Sequence, residues 1–279
     1  MQAAKPASQL TSGQWLLTGL AVTYLGFLFI LPALVVFTTA FSDGIPAFIT
    51  ALQSRAFLQA TRLTLIVTAI AIPINTLFGL CAAWVIARNQ FRGRTLLMSL
   101  VDLPFSVSPV VAGLMLVLLY SDRVGWFSPV LTALGVKIIF ALPGIVLATL
   151  FVTLPFVARE VIPVLEELGS EPEEAARILG ATPGQIFRRV ILPHIRWGLL
   201  YGILLTNARA LGEFGAVAVV SGSILGRTAT LPIFVEQSYQ NYQSVAAFSA
   251  AVVLAGLAVL TLIGKAILER YYLHKLPTH

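Results

Sequence analysis

The chain of 279 residues is 58% hydrophobic and only 11% charged, against roughly 25% charged residues in soluble globular domains, which excludes an ordinary soluble fold. Its formal charge of +6 raises nucleic acid as a partner, but the basic residues gather at the ends of apolar runs, as expected for orientation in a bilayer and contact with anionic membrane lipid. The single cysteine, Cys81, excludes an intramolecular disulfide and reads as a small buried hydrophobe.

Residues 1–14 form a short polar start, and 15–279 read as one membrane domain. Runs able to cross ~30 Å of hydrocarbon are expected at 15–40, 61–87, 95–119, 138–158, 196–220 and 245–268. The first exceeds the roughly 7–15 apolar residues of a signal-peptide core and is expected to remain as a span. Backbone polar groups in lipid need internal partners, so the fold class is an all-α polytopic membrane protein of about six transmembrane helices. With both termini in the cytoplasm, Arg88, Arg92 and Arg94 fall in a short inner loop and Arg159 just beyond a span end on the same side. Arg55, Arg62, Arg123, Lys137 and Arg227 fall outside.

Several chemistries lack their residues. The histidines are His194, His274 and His279, all at or beyond span ends, which disfavours a haem or metal site in the membrane. No phosphate-binding G-x-x-x-x-G-K-[S/T] loop occurs, since Gly264-Lys265 is followed by Ala266, so the chain has no recognisable means of holding ATP. No catalytic residues are assigned.

The third span contains Pro104 and Pro109 around Ser106 and Ser108, which predicts a kink that either exposes carbonyls to a cavity or serves packing. Between the fourth and fifth spans lies a polar island, "EEAARILGATPGQIFRRVILP". Ser170 and Glu173 have capping-box spacing, and Glu171, Glu173 and Glu174 favour a helix start. Gly180 is a stop signal; Thr182 and Gln185 form a second capping box, with Pro183 at the first helical position. Ile186, Phe187 and Val190 make an apolar stripe, and Pro193 is expected to end the segment before the next span. Two short helices meeting near Gly180 are predicted on the cytoplasmic face. They could rest on lipid as an amphipathic hairpin or dock a soluble partner, for which Ala175 and Ala176 permit close approach.

In the fifth span, Asn207, Arg209 and Glu213 are polar groups at depth, where an ionisable side chain costs about 2.5–3.5 kcal/mol. Arg209 and Glu213, four apart, are expected to pair as a helix clip extended to Asp102; direct anion contact by Arg209 is the second reading, opposed by its acidic neighbour. Ser106, Ser108, Asn207, Ser221 and Ser223 are gentler candidates for lining a polar route, with helix packing as the alternative. Gly198 and Gly202, like Ala208, Gly212 and Ala216, form small stripes that face either a partner or a neighbouring helix.

The island resembles the cytoplasmic signature of ABC importer permeases: E-A-A, three residues, G, nine residues, I, one residue, L-P. Here it reads Glu174-Ala175-Ala176, Gly180, Val190, then Leu192-Pro193, with Val190 in place of isoleucine. The stretches "NTLFGLCAAWVIARNQFRGRTLL", "VDLPFSVSPVVAGL" and "NARALGEFGAVAVVSG" resemble the sulfate and molybdate branch. "TLPIFVEQSYQNYQSVAAF" is most similar to the W type of sulfate/thiosulfate permease. The resemblance implies a type I ABC importer permease fold in a bacterial inner membrane. Its coupling loop at 170–193 would dock through Glu173, Glu174, Ala175, Ala176, Gly180, Pro183, Phe187, Leu192 and Pro193. It also implies a second, T-type permease, two ATPase subunits that bind ATP and Mg, a periplasmic sulfate-binding protein, and import of sulfate or thiosulfate by alternating access. Molybdate or tungstate is the alternative cargo, and an ion-coupled secondary anion transporter the alternative class.

Overall fold

The computed structural model describes residues 12–273. The expected cytoplasmic start through residue 11, with Lys5, and His274, Lys275 and His279 lie outside the described residues. Helices follow one another as α1 (Ser12–Ala40), α2 (Gly44–Gln53), α3 (Arg55–Arg88), α4 (Arg94–Ser106), α5 (Pro109–Tyr120), α6 (Ser128–Leu134) and α7 (Leu142–Thr153). They continue as α8 (Pro155–Leu168), α9 (Glu171–Ile178), α10 (Pro183–Ile186), α11 (Leu192–Leu211), α12 (Gly215–Ser221), α13 (Leu231–Gln240) and α14 (Ser244–Leu273). By length and composition, four runs among the described residues can cross a membrane, and two bent pairs bring the number to six.

The third span is bent where Pro104 and Pro109 predict a kink, and the fifth, expected as one run, is broken as well. Helices α4 and α5 meet at 109°, because Pro109 lacks an N–H and holds Ser108 in an extended conformation (φ −58°, ψ 135°). The second break, of 53°, separates α12 from the run Pro183–Leu211. Pro193 does not end the loop: it lies in the first turn of α11. A π-helical turn, Phe187–Ile191, joins α10 to α11, with the Leu192 N–H reaching back to the Phe187 carbonyl. This wider turn accommodates the donor that Pro193 lacks. Arg159, expected just beyond a span end, lies inside α8, which runs on to Leu168.

Contact between α3, α8 and α11 is close enough to involve backbone. Val157 of α8 is fully buried between Gly79 and Gly202. A Cβ at Gly79 would stand 2.7 Å from the Val157 Cβ, and one at Gly202 2.8 Å from the Val157 Cα. Gly198 abuts the Glu160 carbonyl on the same helix, so this small stripe serves packing within the chain. A second link repairs a helix break. Pro155 separates α7 from α8, and the Leu154 N–H turns to the Phe151 carbonyl at 3.4 Å, leaving the Leu150 carbonyl without its usual donor. Buried Asn75 of α3 donates to that carbonyl at 3.0 Å and contacts the Thr153 hydroxyl at 2.7 Å.

Two apolar cores result. One joins α3, α7, α12 and α13 through Val67, Ile145, Val217 and Ile233. The other joins Ala83, Val157, Val161 and Leu165 to Ile186, Ile191 and Ile195 of the loop and its following helix. Helix α1 packs along α14, and none of its most apolar window is buried. Cys81, expected to be buried, is exposed in a groove of about 410 Å³ beside Leu77, Trp84 and Phe187.

Candidate functional site

The polar island folds into the predicted pair of helices. Gly180 takes φ +79°, a left-handed conformation that side chains disfavour, and its N–H bonds the Arg177 carbonyl at 3.0 Å. The second expected capping device is present: the Gln185 side-chain oxygen accepts the Thr182 N–H at 2.8 Å. The first is not. Ser170 makes no capping bond, and Glu173 turns inward to Arg88 at the end of α3.

Arg88 ties three elements together. Its Nε donates to Glu173 Oε1 at 2.7 Å, its Nη2 lies 2.7 Å from the same oxygen, and its Nη1 donates to the Leu165 carbonyl of α8 at 2.6 Å. Cation and carboxylate also suit the adjoining helix ends, with Arg88 at the C-termini of α3 and α8 and Glu173 in the first turn of α9. A second pair, Arg94–Glu166, lies nearby at 2.5 Å, and Arg94 Nε bonds the Ile86 carbonyl at 2.8 Å.

These contacts sort the expected docking residues. Glu174, Ala175, Gly180, Pro183, Phe187 and Pro193 are exposed; Glu173 is buried, and Ala176 and Leu192 are half-buried against the chain's own core. Of the expected apolar stripe, Ile186 is buried and Val190 half-buried in that core, as Ile191 beside them is buried, whereas Phe187 stays exposed. What protrudes is Ile178 and Leu179, at 86% and 87% exposure. Sequence reading passed over both, because they look like ordinary residues of a helical stripe; their position before the Gly180 bend was the available signal. Arg88 was counted only as loop charge.

Around the broken spans, Arg209 Nη1 pairs with Glu213 Oε2 at 2.6 Å, as the four-residue spacing predicts. Glu213 also acts on the backbone, since its Oε1 accepts the Ala216 N–H at 2.9 Å, closing the start of α12. Asp102 does not extend this clip. It binds Arg159 through two bonds, of 2.9 and 3.3 Å, and Arg159 also lies over the Phe105 ring. Asn207 donates to Thr261 at 3.0 Å, linking α11 to α14. Ser106 and Ser108 are exposed beside the α4–α5 bend. Ser221 is fully buried and accepts the Ser223 N–H at 3.0 Å; the Ser223 hydroxyl donates to the Ala218 carbonyl at 3.3 Å. Both serines hold the turn after α12. Ala216 packs on Gly113 of α5, again within the chain. Among the described residues no group of His, Cys, Asp and Glu could hold a metal ion.

Comparison with known proteins gives the same grouping. Residues 76–272 match the family model described as a binding-protein-dependent transport system inner membrane component. The chain is 64% identical to the sulfate transport system permease protein CysW of Synechocystis sp., over 92% of this chain and 93% of that protein. It is 46% identical to the protein of the same name from Escherichia coli, over 92% and 88% respectively. Among solved structures, a bacterial alginate ABC transporter in complex with its alginate pentasaccharide-bound periplasmic protein shares the fold. Its TM-score is 0.74 at 20% identity, over 89% of this chain and 92% of that one.

Proposed function

This chain belongs to the family of binding-protein-dependent transport system inner membrane components, and on that premise we propose that it is the W-type permease of an importer carrying sulfate and thiosulfate across a bacterial inner membrane. It is a multi-pass transport subunit of an ABC sulfate permease and not itself a catalyst. It works beside a second permease, here assigned to the T type, and above two ATPase subunits that bind ATP and Mg. A periplasmic sulfate-binding protein delivers the anion, and both termini face the cytoplasm.

Sulfate is a hydrated dianion that bare hydrocarbon excludes, so import requires a protein-lined route that opens to one side at a time. The chain lacks a phosphate loop, and energy enters where the island meets an ATPase. Exposed Ile178 and Leu179 carry this reading. They crown a loop whose other large aliphatic side chains are buried in or packed against its own core, leaving an apolar tip with charged flanks suited to a groove in a soluble partner. Closure of the ATPase pair draws the loops together, and α10 passes that movement through the π turn into α11. Arg209 and Glu213 hold the far end of that helix in register as a clip.

Reconstitution with and without the ATPase subunits tests the reading. Radiolabelled sulfate uptake is expected only with the ATPase and ATP, with competition by thiosulfate exceeding that by molybdate or tungstate. Uptake by this chain alone overturns the proposal, and stronger competition by molybdate reassigns the cargo.

A further inference from the structure

One ion pair fastens the loop to the membrane helices, and a second, of different character, joins α4 to α8 beside it. Arg94–Glu166 is open to solvent, at 27% and 45% side-chain exposure, a setting in which ion pairs contribute little. Arg88–Glu173 is shut away, at 11% and 8%. Arg88 also bonds the Leu165 carbonyl and lies over the Trp84 ring, with 5.8 Å from its guanidinium carbon to the ring centroid. The planar guanidinium thus directs its donors to the end of α8 and the first turn of α9 while lying over Trp84 of its own α3. A rigid connection of this kind is what a docking helix needs if its movement is to reach α3 and, past the short turn at 89–93, the bent pair α4–α5.

We infer that Arg88 is the positioning residue that couples the docking helix to the transport helices, an inference resting on the docking role proposed above. Arg88 is buried behind the exposed tip; it fixes α9, which presents Ile178 and leads to Leu179. Loss of Arg88 therefore separates hydrolysis from transport while the exposed tip remains available to bind.

The test uses the assembled importer in proteoliposomes, reading radiolabelled sulfate moved per ATP hydrolysed at equal amounts of co-purified ATPase. Arg88→Met is expected to retain bound, hydrolysing ATPase while sulfate moved per ATP falls at least about fivefold, the lower end of usual coupling between sites. Arg88→Lys, which keeps the charge and loses the fork, is expected to fall by less. An unchanged ratio in Arg88→Met overturns the inference. Should Arg88→Met fail to assemble, Arg88→Lys decides, with an unchanged ratio again overturning it. Sulfate uptake by the unaltered chain without ATPase overturns the docking role instead, an outcome read before any Arg88 variant is compared.

Discussion

Arg209 and Glu213 share a bond but not an environment. The Arg209 side chain is 33% exposed and that of Glu213 only 1%, and the carboxylate alone also closes a helix, through the Ala216 N–H. Removing either partner strands the other, and the stranded group decides the cost. Arg209→Met leaves a buried carboxylate and is expected to destabilise by about 3 kcal/mol. Glu213→Gln leaves a partly solvated cation and keeps an acceptor for Ala216, at roughly 1–2 kcal/mol. Thermal unfolding in detergent should rank Arg209→Met below Glu213→Gln; the reverse order would mean that the pair is not the clip described. Full sulfate transport by Arg209→Gln would remove this arginine from the pathway as well.

At the loop tip, stability and partner binding should separate. Nothing lies within 4 Å of a Cβ built at Gly180, so Gly180→Val acts only through its φ of +79°. The left-handed conformation costs an L-residue about 1–2 kcal/mol, confined to the bend itself. Ile178→Ser and Leu179→Ser remove side chains that touch little of the chain itself. All three variants should insert, the two serine variants unfolding much like the wild type and Gly180→Val slightly earlier, yet all should co-purify far less ATPase. Normal ATPase recovery in all three would count against the tip as the docking element.

Val157 offers a packing test. Gly79→Ala and Gly202→Ala each drive a methyl group into it from opposite helices. Each is expected to cost about 1–3 kcal/mol, as over-packing usually does. Because each blocks the shift of Val157 that would relieve the other, the double variant should lose more than the sum of the two. Strict additivity in thermal melts would show that the two contacts relax independently.

Asn75 supplies the donor that the Leu150 carbonyl loses at the α7–α8 break. Asn75→Leu keeps similar bulk but leaves that carbonyl bare, at about 1–3 kcal/mol. Asn75→Gln, with the same amide on a longer stem, should recover part of the loss. A melt unchanged by Asn75→Leu would show that another group satisfies the carbonyl.

Apolar runs announce spans, so the four long helices able to cross a membrane were legible in the sequence, and the third and fifth runs proved to be bent pairs. The pairing of Arg209 with Glu213 and the turn at Gly180 were legible too, because both follow from spacing along one short segment. Pro104 and Pro109 signalled a kink, but not its 109° size, which depends on α5 packing against α12 through Gly113. The choice of Glu173 between Ser170 and Arg88, 85 residues away in sequence, was hidden for the same reason. A capping pattern is local, whereas a buried guanidinium competes for the same carboxylate from another helix. Asp102 repeats the lesson, taking Arg159 of another helix instead of the Arg209–Glu213 clip.

The π turn at Phe187–Ile191 makes the second helix of the island, from Pro183, and the following span a single rod, with no joint between them. Helix α11 alone extends about 30 Å, so torque applied below arrives at Gly212 as axial twist, not as flexing. The first place able to yield is the break at 212–214, where the Glu213 side chain serves as the strut across the gap.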